Sequence, residues 1–243
     1  MSVTDAGAVP DAAGEPVLDL AGVEKSFAGP HQVPRRVLAG VDLSAGRGEI
    51  VVVAGRSGSG KTTLLTIVAG WERPDAGSVR LLGGDVDADR LRWADLAILP
   101  QSLGLLAELT LAENVGLPLR LGGAAVDGEN PGALMARLGI DQLADRLPDE
   151  VSLGEQQRAA LARATVVRPS VLLADEPIAH QNRTWAEGMM LVLADLAASG
   201  TTCLIATHNE VAFEAADRVL ELHDGRLRPH PRPDPAPRFR YGT

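Results

Sequence analysis

The chain has 243 residues, 45 % of them hydrophobic and 23 % charged, which is typical of one or two globular domains with a sizeable buried core. Its formal net charge of −9 disfavours a general nucleic-acid-binding protein, which would need a basic face to neutralise phosphates. The single cysteine, Cys203, stands in an apolar run and indicates a buried thiol in a reducing compartment, without a disulfide framework or a metal cluster.

The N-terminal part of the chain predicts a leader followed by strands. Met1–Pro16 is rich in Ala, Gly, Asp and Pro and lacks the basic-then-apolar order of a secretory signal, so we expect a disordered leader. Val17–Leu20 and Val41–Ser44 are predicted strands of an antiparallel layer. Ile50–Ala54 is apolar throughout, as a buried parallel strand would be. No apolar run reaches the roughly 18 residues of a spanning helix, so none is predicted.

A glycine-rich loop directly after Ile50–Ala54 carries the most informative motif of the chain. It matches G-x-x-x-x-G-K-[ST], in which glycines let backbone N–H groups wrap around phosphate oxygens at the start of a helix. Lys61 would reach the β- and γ-phosphates, and the Thr62 hydroxyl would coordinate Mg²⁺. The flanking strand and helix signals make an ordinary glycine turn the weaker alternative. The residues predicted to bind a nucleoside triphosphate are Gly55, Arg56, Ser57, Gly58, Ser59, Gly60, Lys61, Thr62 and Thr63.

Beyond this loop the chain predicts an α/β fold: a P-loop NTPase core with a mixed sheet and helices on both faces, an N-terminal antiparallel β layer and an inserted helical subdomain. Residues 103–147 have a helical pattern, and Asn130-Pro131 is typical of a helix start. Asp224-Gly225 predicts a terminal hairpin, and the proline-rich residues 229–243 predict a disordered tail. The other predicted strands are Val79–Leu82, Ala97–Leu99, Val171–Ala174 and Thr202–Ala206, and the predicted helices are Glu155–Val166, Thr184–Ala198 and Val211–Ala216.

An acidic pair, Asp175 and Glu176, ends the predicted strand Val171–Ala174. The carboxyl ends of strands are where ligands collect in open α/β sheets. Asp175 would hold Mg²⁺ through water, and Glu176 would polarise a water that attacks the γ-phosphate. Alone, the pair could equally be a solvated loop start. Together with the phosphate loop it indicates a Walker B element.

A third motif points to a family. Val151–Arg158 reads V-S-L-G-E-Q-Q-R and is similar to the L-S-G-G-E-Q-Q-R signature of ATP-binding cassette (ABC) ATPases. As in that family, a small-residue helix and the Walker B strand follow it, and the resemblance extends from about Val17 to Leu227. The resemblance implies that the signature contacts the nucleotide of an opposite subunit through Ser152, Gly154, Glu155 and Gln156.

The resemblance also implies roles for three residues outside these motifs. Gln101 would sense the γ-phosphate and Mg²⁺, His208 at a strand end would take part in hydrolysis, and Phe27 would stack on adenine. For a lone Phe or His, packing in the core is the alternative reading of the residue itself. The implied catalytic residues are therefore Glu176, His208 and Gln101, and the implied metal-binding residues are Thr62, Gln101 and Asp175.

Gln101–Leu119 resembles the corresponding region of lipoprotein-releasing, macrolide-exporter and cell-division-type ABC ATPases, where it faces the groove for a helix of the membrane subunit. The resemblance implies ATP and Mg²⁺ as cofactors, a second ABC ATPase arranged head to tail in a homodimer or heterodimer, an integral membrane permease, and no nucleic acid. It implies a position at the cytoplasmic face of the cell membrane. The implied division is a leader at 1–16, an ATPase domain at 17–228 with a helical insert at about 102–165, and a tail at 229–243.

Two departures from the family pattern leave the function open between two alternatives. Leu153 replaces the first signature glycine, and the loop after Walker B ends in Gln181-Asn182 where the family has Leu-Asp. Both would act on the partner's nucleotide. They are either tolerated in a symmetric dimer, or they indicate an asymmetric heterodimer or a slow ATPase. The chain is thus expected to hydrolyse ATP to drive a separate permease; the alternative is a nucleotide-gated regulatory or mechanical module with weak activity.

Overall fold

The computed structural model describes residues 15–28, 34–122 and 128–230, so most of the predicted leader and tail lies outside the described residues. Residues 15–16 have no regular structure. The predicted tail begins too early, because Pro229 is the last residue of an edge strand and the N–H of His230 donates to the carbonyl of Val219. The strands are β1 (Leu18–Ala28), β2 (Pro34–Ala45), β3 (Ile50–Ala54), β4 (Ala76–Leu81), β5 (Gly84–Asp85), β6 (Leu96–Leu99), β7 (Val171–Asp175), β8 (Thr202–Ala206), β9 (Arg218–His223) and β10 (Arg226–Pro229). The α-helices are α1 (Lys61–Val68), α2 (Leu111–Gly122), α3 (Pro131–Arg137), α4 (Leu153–Thr165), α5 (Arg183–Ala198) and α6 (Glu210–Ala215).

Four strands form an antiparallel sheet in the order β2-β1-β4-β5, which confirms the predicted antiparallel layer. Its strands are longer than predicted: β1 and β2 continue to a pair between Phe27 and Arg35. Backbone pairing needs no alternation of apolar side chains, so it extends beyond the segments that showed one. The prediction also carried β4 one residue too far, because Leu82 has a φ of 52° and leaves the strand conformation. β5 has only two residues, too few to carry a period, and was not predicted.

Six strands form the second sheet in the order β10-β9-β3-β8-β7-β6. All neighbours are parallel except β9 and β10, so the sheet is mixed, as predicted. The predicted hairpin between β9 and β10 is confirmed, with Asp224 and Gly225 at φ values of 48° and 72°, the left-handed values of a tight two-residue turn. The parallel pairs bring the carboxyl ends of β3, β6, β7 and β8 to one edge of the sheet.

Alternate residues of the central strands face two different cores. Val51 and Val53 of β3 belong to the core shared with α1 and the antiparallel sheet, whereas Ile50 and Val52 belong to the core shared with α4 and α5. Cys203 lies in the second core, fully buried, and burial raises its thiol pKa to about 12. The thiol is therefore protonated and unreactive at neutral pH. The helices on both faces agree with the predicted core.

Side-chain caps fix where several helices begin. The Asn130 side chain accepts a hydrogen bond from the N–H of Ala133 and Pro131 follows it, which confirms the predicted start of α3. Ser152 caps α4, so this helix begins two residues before the predicted Glu155. Among the described residues, no helix is long and apolar enough to cross a membrane.

The predicted helical insert at about 102–165 contains α2, α3, two 3₁₀ turns and α4, but its first residues are not helical. Residues 103–110 form a loop around the fully buried Asn114. The Asn114 amide donates to the carbonyls of Leu106 and Leu109, and its oxygen accepts from the N–H of Leu106. The prediction of helical structure from Leu103 onward is therefore wrong for this loop, because a side chain satisfies the backbone groups that a helix would pair.

Candidate nucleotide-binding site

The strand ends of the six-stranded sheet open into a cavity of about 910 Å³. It collects residues that are far apart in the sequence, because parallel strands end at the same edge. Ser59 and the four signature residues do not line it. The predicted site residues that do line it are Phe27, Gly55, Arg56, Ser57, Gly58, Gly60, Lys61, Thr62, Thr63, Gln101, Asp175, Glu176 and His208.

The loop between β3 and α1 has the conformation of a phosphate cradle. Gly58 and Gly60 have φ values of 75° and 108°, and a Cβ at Gly60 would lie 2.7 Å from a methyl carbon of Val37. Gly60 offers no side-chain cap, so the first N–H groups of α1 remain available to an anion. The buried Ser59 hydroxyl has no partner among the described residues. A phosphate group in the cavity fits the uncapped N–H groups at the start of α1.

Lys61 is the buried cation of the cavity, with 8 % of its surface exposed. Its ammonium donates to the carbonyls of Gly55 at 2.8 Å and Arg56 at 3.3 Å and lies 4.0 Å from Oε1 of Glu176. The charge is thus held against the loop beside the acidic pair, where burial weakens screening by solvent.

Asp175 and Thr62 meet at the floor of the cavity. The Thr62 hydroxyl donates to Oδ2 of Asp175 at 2.6 Å. Burial raises the pKa of Asp175, the Thr62 hydrogen bond lowers it, the charge of Glu176 raises it and that of Lys61 lowers it. Within the described ranges, no three His, Cys, Asp or Glu side chains form a metal cluster. One hydroxyl and one carboxylate fit Mg²⁺, which keeps most of its ligands from water and phosphate.

Glu176 is held rigidly beside Lys61. Its Oε2 accepts a hydrogen bond from the Thr207 hydroxyl at 2.8 Å, and its Oε1 lies 2.8 Å from Nδ1 of His208. The backbone φ of Glu176 is 50°, a left-handed value that is unusual for a residue with a side chain. Its N–H donates to the carbonyl of Ala206 at 2.8 Å, which stabilises this turn. The carboxylate therefore has a defined orientation from which it can accept a proton.

Phe27 lies at the rim of the cavity, 41 % exposed, with the ammonium of Lys25 5.4 Å from the ring centre. Its exposure argues against the core-packing alternative. Arg35, the partner of Phe27 across β1 and β2, also lines the cavity, and its guanidinium donates to the carbonyl of Gly58 at 3.3 Å. Sequence reasoning missed Arg35, because β2 was predicted to begin only at Val41.

The signature segment lies at the N-terminus of α4, away from this cavity. Ser152 and Glu155 form a capping box: the Ser152 hydroxyl and N–H donate to Oε2 of Glu155 at 2.7 and 2.8 Å. These bonds hold the pKa of Glu155 below its ordinary value. Gly154 and Gln156 follow in the first turns, and Leu153 is 46 % exposed. The chain thus carries two separate sets of predicted nucleotide contacts.

Comparisons with known proteins agree with this geometry. The sequence profile of the ABC transporter family matches residues 38–179. The chain is 40 % identical over 222 residues to the lipoprotein-releasing system ATP-binding protein LolD of Ruegeria pomeroyi, covering 88 % of this chain and 97 % of that protein. It is 36 % identical over 229 residues to the macrolide export ATP-binding/permease protein MacB of Azoarcus sp., covering 91 % of this chain. It spans only about a third of that relative, 35 % of its length.

Two solved structures of one protein have the same fold. The dimeric structure of MJ0796, a bacterial ABC transporter cassette, has a TM-score of 0.79 at 28 % identity and covers 86 % of this chain and 96 % of its own. A dimeric post-hydrolysis state of the same ATP-binding cassette, bound to ADP and Pi, has a TM-score of 0.77 at 29 % identity.

Proposed function

The chain belongs to the ABC transporter family, as an ATP-binding subunit with ATPase chemistry, and we propose that it dimerises on ATP to drive a separate integral membrane permease. The observation that carries the proposal is the fixed carboxylate of Glu176 beside Lys61 and Asp175 in one cavity. The partner subunit, the permease and a peripheral position at the cytoplasmic face of the membrane are part of the proposal. They are supported by the names of the relatives, which belong to membrane transport systems.

The cavity would hold ATP along its length. Phe27 would stack on adenine, and the loop from Gly55 to Thr63 would wrap around the phosphates, with Lys61 reaching the β- and γ-phosphates. Thr62 and Asp175 would hold Mg²⁺, together with Gln101, which also lines the cavity. When bound, Mg²⁺ neutralises charge on the β- and γ-phosphate oxygens.

Hydrolysis would use Glu176 as the base. Its carboxylate would accept a proton from a water that attacks the γ-phosphate, while Thr207 and His208 keep the carboxylate in place. Lys61 would stabilise the charge that develops on the phosphoryl oxygens. Gln101 is proposed to sense the γ-phosphate and His208 to contact it, which assigns the three predicted catalytic residues their roles.

A second subunit is needed because the signature lies outside the chain's own cavity. Ser152 and Gly154 would meet the γ-phosphate bound to the partner, where the N–H groups at the start of α4 that the capping box does not pair would form an anion site. Glu155 and Gln156 would complete that contact. The dimeric state of the similar cassette supports this arrangement.

The test is Glu176→Gln, which keeps the shape of the side chain but removes the base. We expect it to retain ATP affinity, to lose turnover and to elute as a dimer in gel filtration with Mg-ATP. Lys61→Ala is the matched variant that should lose ATP binding itself. Normal turnover by Glu176→Gln would rule out the proposed base.

A nucleotide-gated regulatory module with weak ATPase activity is the second candidate, and the altered signature favours it. Leu153 presents an exposed aliphatic side chain where the family has glycine, and Asn182 replaces an aspartate. We expect Leu153→Gly with Asn182→Asp to raise the ATPase rate several-fold. A gain of this size is within the few kcal/mol that one restored contact to a developing oxyanion contributes. An aspartate would cap α5 as the Asn182 side chain does, so folding should be preserved. An unchanged steady-state rate would mean that both substitutions are tolerated. They would then no longer favour an asymmetric heterodimer or a slow ATPase.

A further inference from the structure

The loop between β7 and α5 contacts both sets of nucleotide residues. Ala179 and His180 line the cavity of this chain. The next residue, Gln181, turns its side chain to α4, where its amide nitrogen donates to the carbonyl of Gly154 at 2.8 Å. Its amide oxygen accepts from Nη1 of Arg158 at 3.0 Å. One short loop therefore reaches the chain's own cavity and the signature segment.

We propose that Gln181 is a positioning residue that couples the chain's own hydrolytic site to the signature segment facing the opposite nucleotide. This inference rests on the head-to-tail dimer of the proposed function. It concerns a residue that departs from the family pattern, since the corresponding loop of the family ends in Leu-Asp and an aliphatic side chain makes no hydrogen bonds.

A continuous set of hydrogen bonds joins the two sites. The amide nitrogen of Gln157 donates to the carbonyl of Glu176 at 2.9 Å. The amide oxygen of Gln157 accepts from Gln181 at 3.1 Å and from the N–H of His180 at 3.2 Å. Gln157 is 2 % exposed, so water competes little for these bonds. The backbone of the proposed base is thus two side chains away from the carbonyl of Gly154.

The loop and the start of α4 are also packed too closely to move independently. A Cβ on Gly154 would lie 3.2 Å from the carbonyl oxygen of His180 and 3.4 Å from the Gln181 amide nitrogen. The Gln181 amide also satisfies a guanidinium that is 6 % exposed, for Arg158 otherwise lies on the Trp185 ring at 4.2 Å and its Nε has no partner among the described residues. A displacement of the Glu176 backbone would therefore shift the signature segment.

The coupling predicts which measurement Gln181 affects. Nucleotide binding to a single subunit uses the cavity and should not depend on Gln181. Dimerisation on ATP uses the signature segment, whose backbone orientation depends on the bond to the Gly154 carbonyl. We therefore expect Gln181 variants to bind nucleotide normally and to dimerise poorly.

The experiment uses the full chain carrying Glu176→Gln, which traps the dimer, and compares Gln181→Leu, Gln181→Glu and a control. Gln181→Glu is the discriminating variant: its carboxylate still accepts from Arg158 but cannot donate to Gly154. Gln142→Leu is the control, since the amide of this exposed glutamine donates to the carbonyl of Gly139, which belongs to neither the loop nor the signature segment. Fluorescent-nucleotide titration at low protein concentration, thermal unfolding and gel filtration with Mg-ATP supply the readouts.

We expect both Gln181 variants to need roughly five- to 25-fold more protein for half-dimerisation, because each dimer contains two such links and one hydrogen bond shifts an equilibrium by roughly fivefold. Gln181→Glu should stay folded at the temperature of the assay, and the Gln142→Leu control should unfold and dimerise like the parent. Normal dimerisation of Gln181→Glu would overturn the inference and leave Gln181 a partner of Arg158 in folding only. A parent chain that stays monomeric with Mg-ATP would overturn the proposed dimer itself, and the coupling with it.

Discussion

Removing the Thr207 hydroxyl tests how the proposed base is held. Thr207 is fully buried, and its hydroxyl donates to Oε2 of Glu176 at 2.8 Å. Thr207→Val keeps the branched shape but removes both this donor and the oxygen that accepts from the N–H of Asn209 at 3.1 Å. Because His208 still contacts Oε1 at 2.8 Å, the carboxylate loses one of two fixed contacts and gains freedom to rotate.

The magnitude follows from the type of bond. A hydrogen bond to a charged group contributes about 1.5–3 kcal/mol, which corresponds to roughly 10- to 100-fold in rate if it is fully expressed in the transition state. We expect the lower end, a roughly tenfold fall in kcat, because one contact remains. KM for Mg-ATP should change little, since Thr207 holds the base and is not a predicted phosphate ligand.

Steady-state ATPase assays on the full chain measure both parameters. Thr202→Val is the matched control: Thr202 is equally buried on β8, but its hydroxyl donates to the Gly46 carbonyl at 2.7 Å, away from the cavity. Thr202→Val should lose about 1 kcal/mol of stability and Thr207→Val more, because it loses two hydrogen bonds, one of them to a carboxylate; only Thr207→Val should lose kcat. Equal kcat in the two variants would refute the argument that Thr207 orients Glu176.

Three further predictions concern the cavity. Phe27→Ala should weaken ATP binding by about 1–3 kcal/mol and leave tripolyphosphate binding unchanged, by calorimetry; equal losses for both ligands would make the ring structural. Arg35→Ala should weaken ATP binding roughly threefold to tenfold by the same assay. Arg36→Ala, which removes a guanidinium ion-paired with Glu24 instead, should not, and equal effects would contradict a contact by Arg35. Asp175→Asn should raise the unfolding temperature at pH 7, because burial raises the pKa of Asp175 and its charged form therefore destabilises the fold above that pKa. The gain in unfolding temperature should shrink as the pH falls and Asp175 becomes protonated. A gain that does not depend on pH would contradict a raised pKa of Asp175.

Local motifs made one part of the site predictable from the sequence. The phosphate loop and the acidic pair each occupy consecutive residues beside an apolar strand, so their chemistry and location could be read together. The parallel order of the strands then brought Lys61 and Glu176 within 4.0 Å. The Asn130 cap was equally local and was predicted, whereas α4 begins at Leu153, after the Ser152 cap, and not at the predicted Glu155.

What the sequence could not predict depends on register and on contacts between distant segments. Asp175 pairs with Ala206 across β7 and β8, and this register sets Thr207 beside Glu176. Both strands were predicted, but their alignment was not. Arg35 reaches the phosphate loop only because β2 pairs with β1 beyond the apolar residues.

Gln181 and Asn182, in the loop after β7, have different consequences in the fold, although the sequence analysis treated them as a single departure from the Leu-Asp of the family. Asn182 caps α5 by accepting from the N–H of Trp185 at 3.0 Å, a role that aspartate performs equally well. Gln181 instead makes bonds that the aliphatic family residue cannot make, to Gly154 and Arg158. The asparagine at position 182 is therefore a substitution that the fold tolerates. Gln181 instead adds a proposed link between Glu176 and the signature segment. In the proposed dimer this link would restrain the segment in which Leu153 replaces the signature glycine.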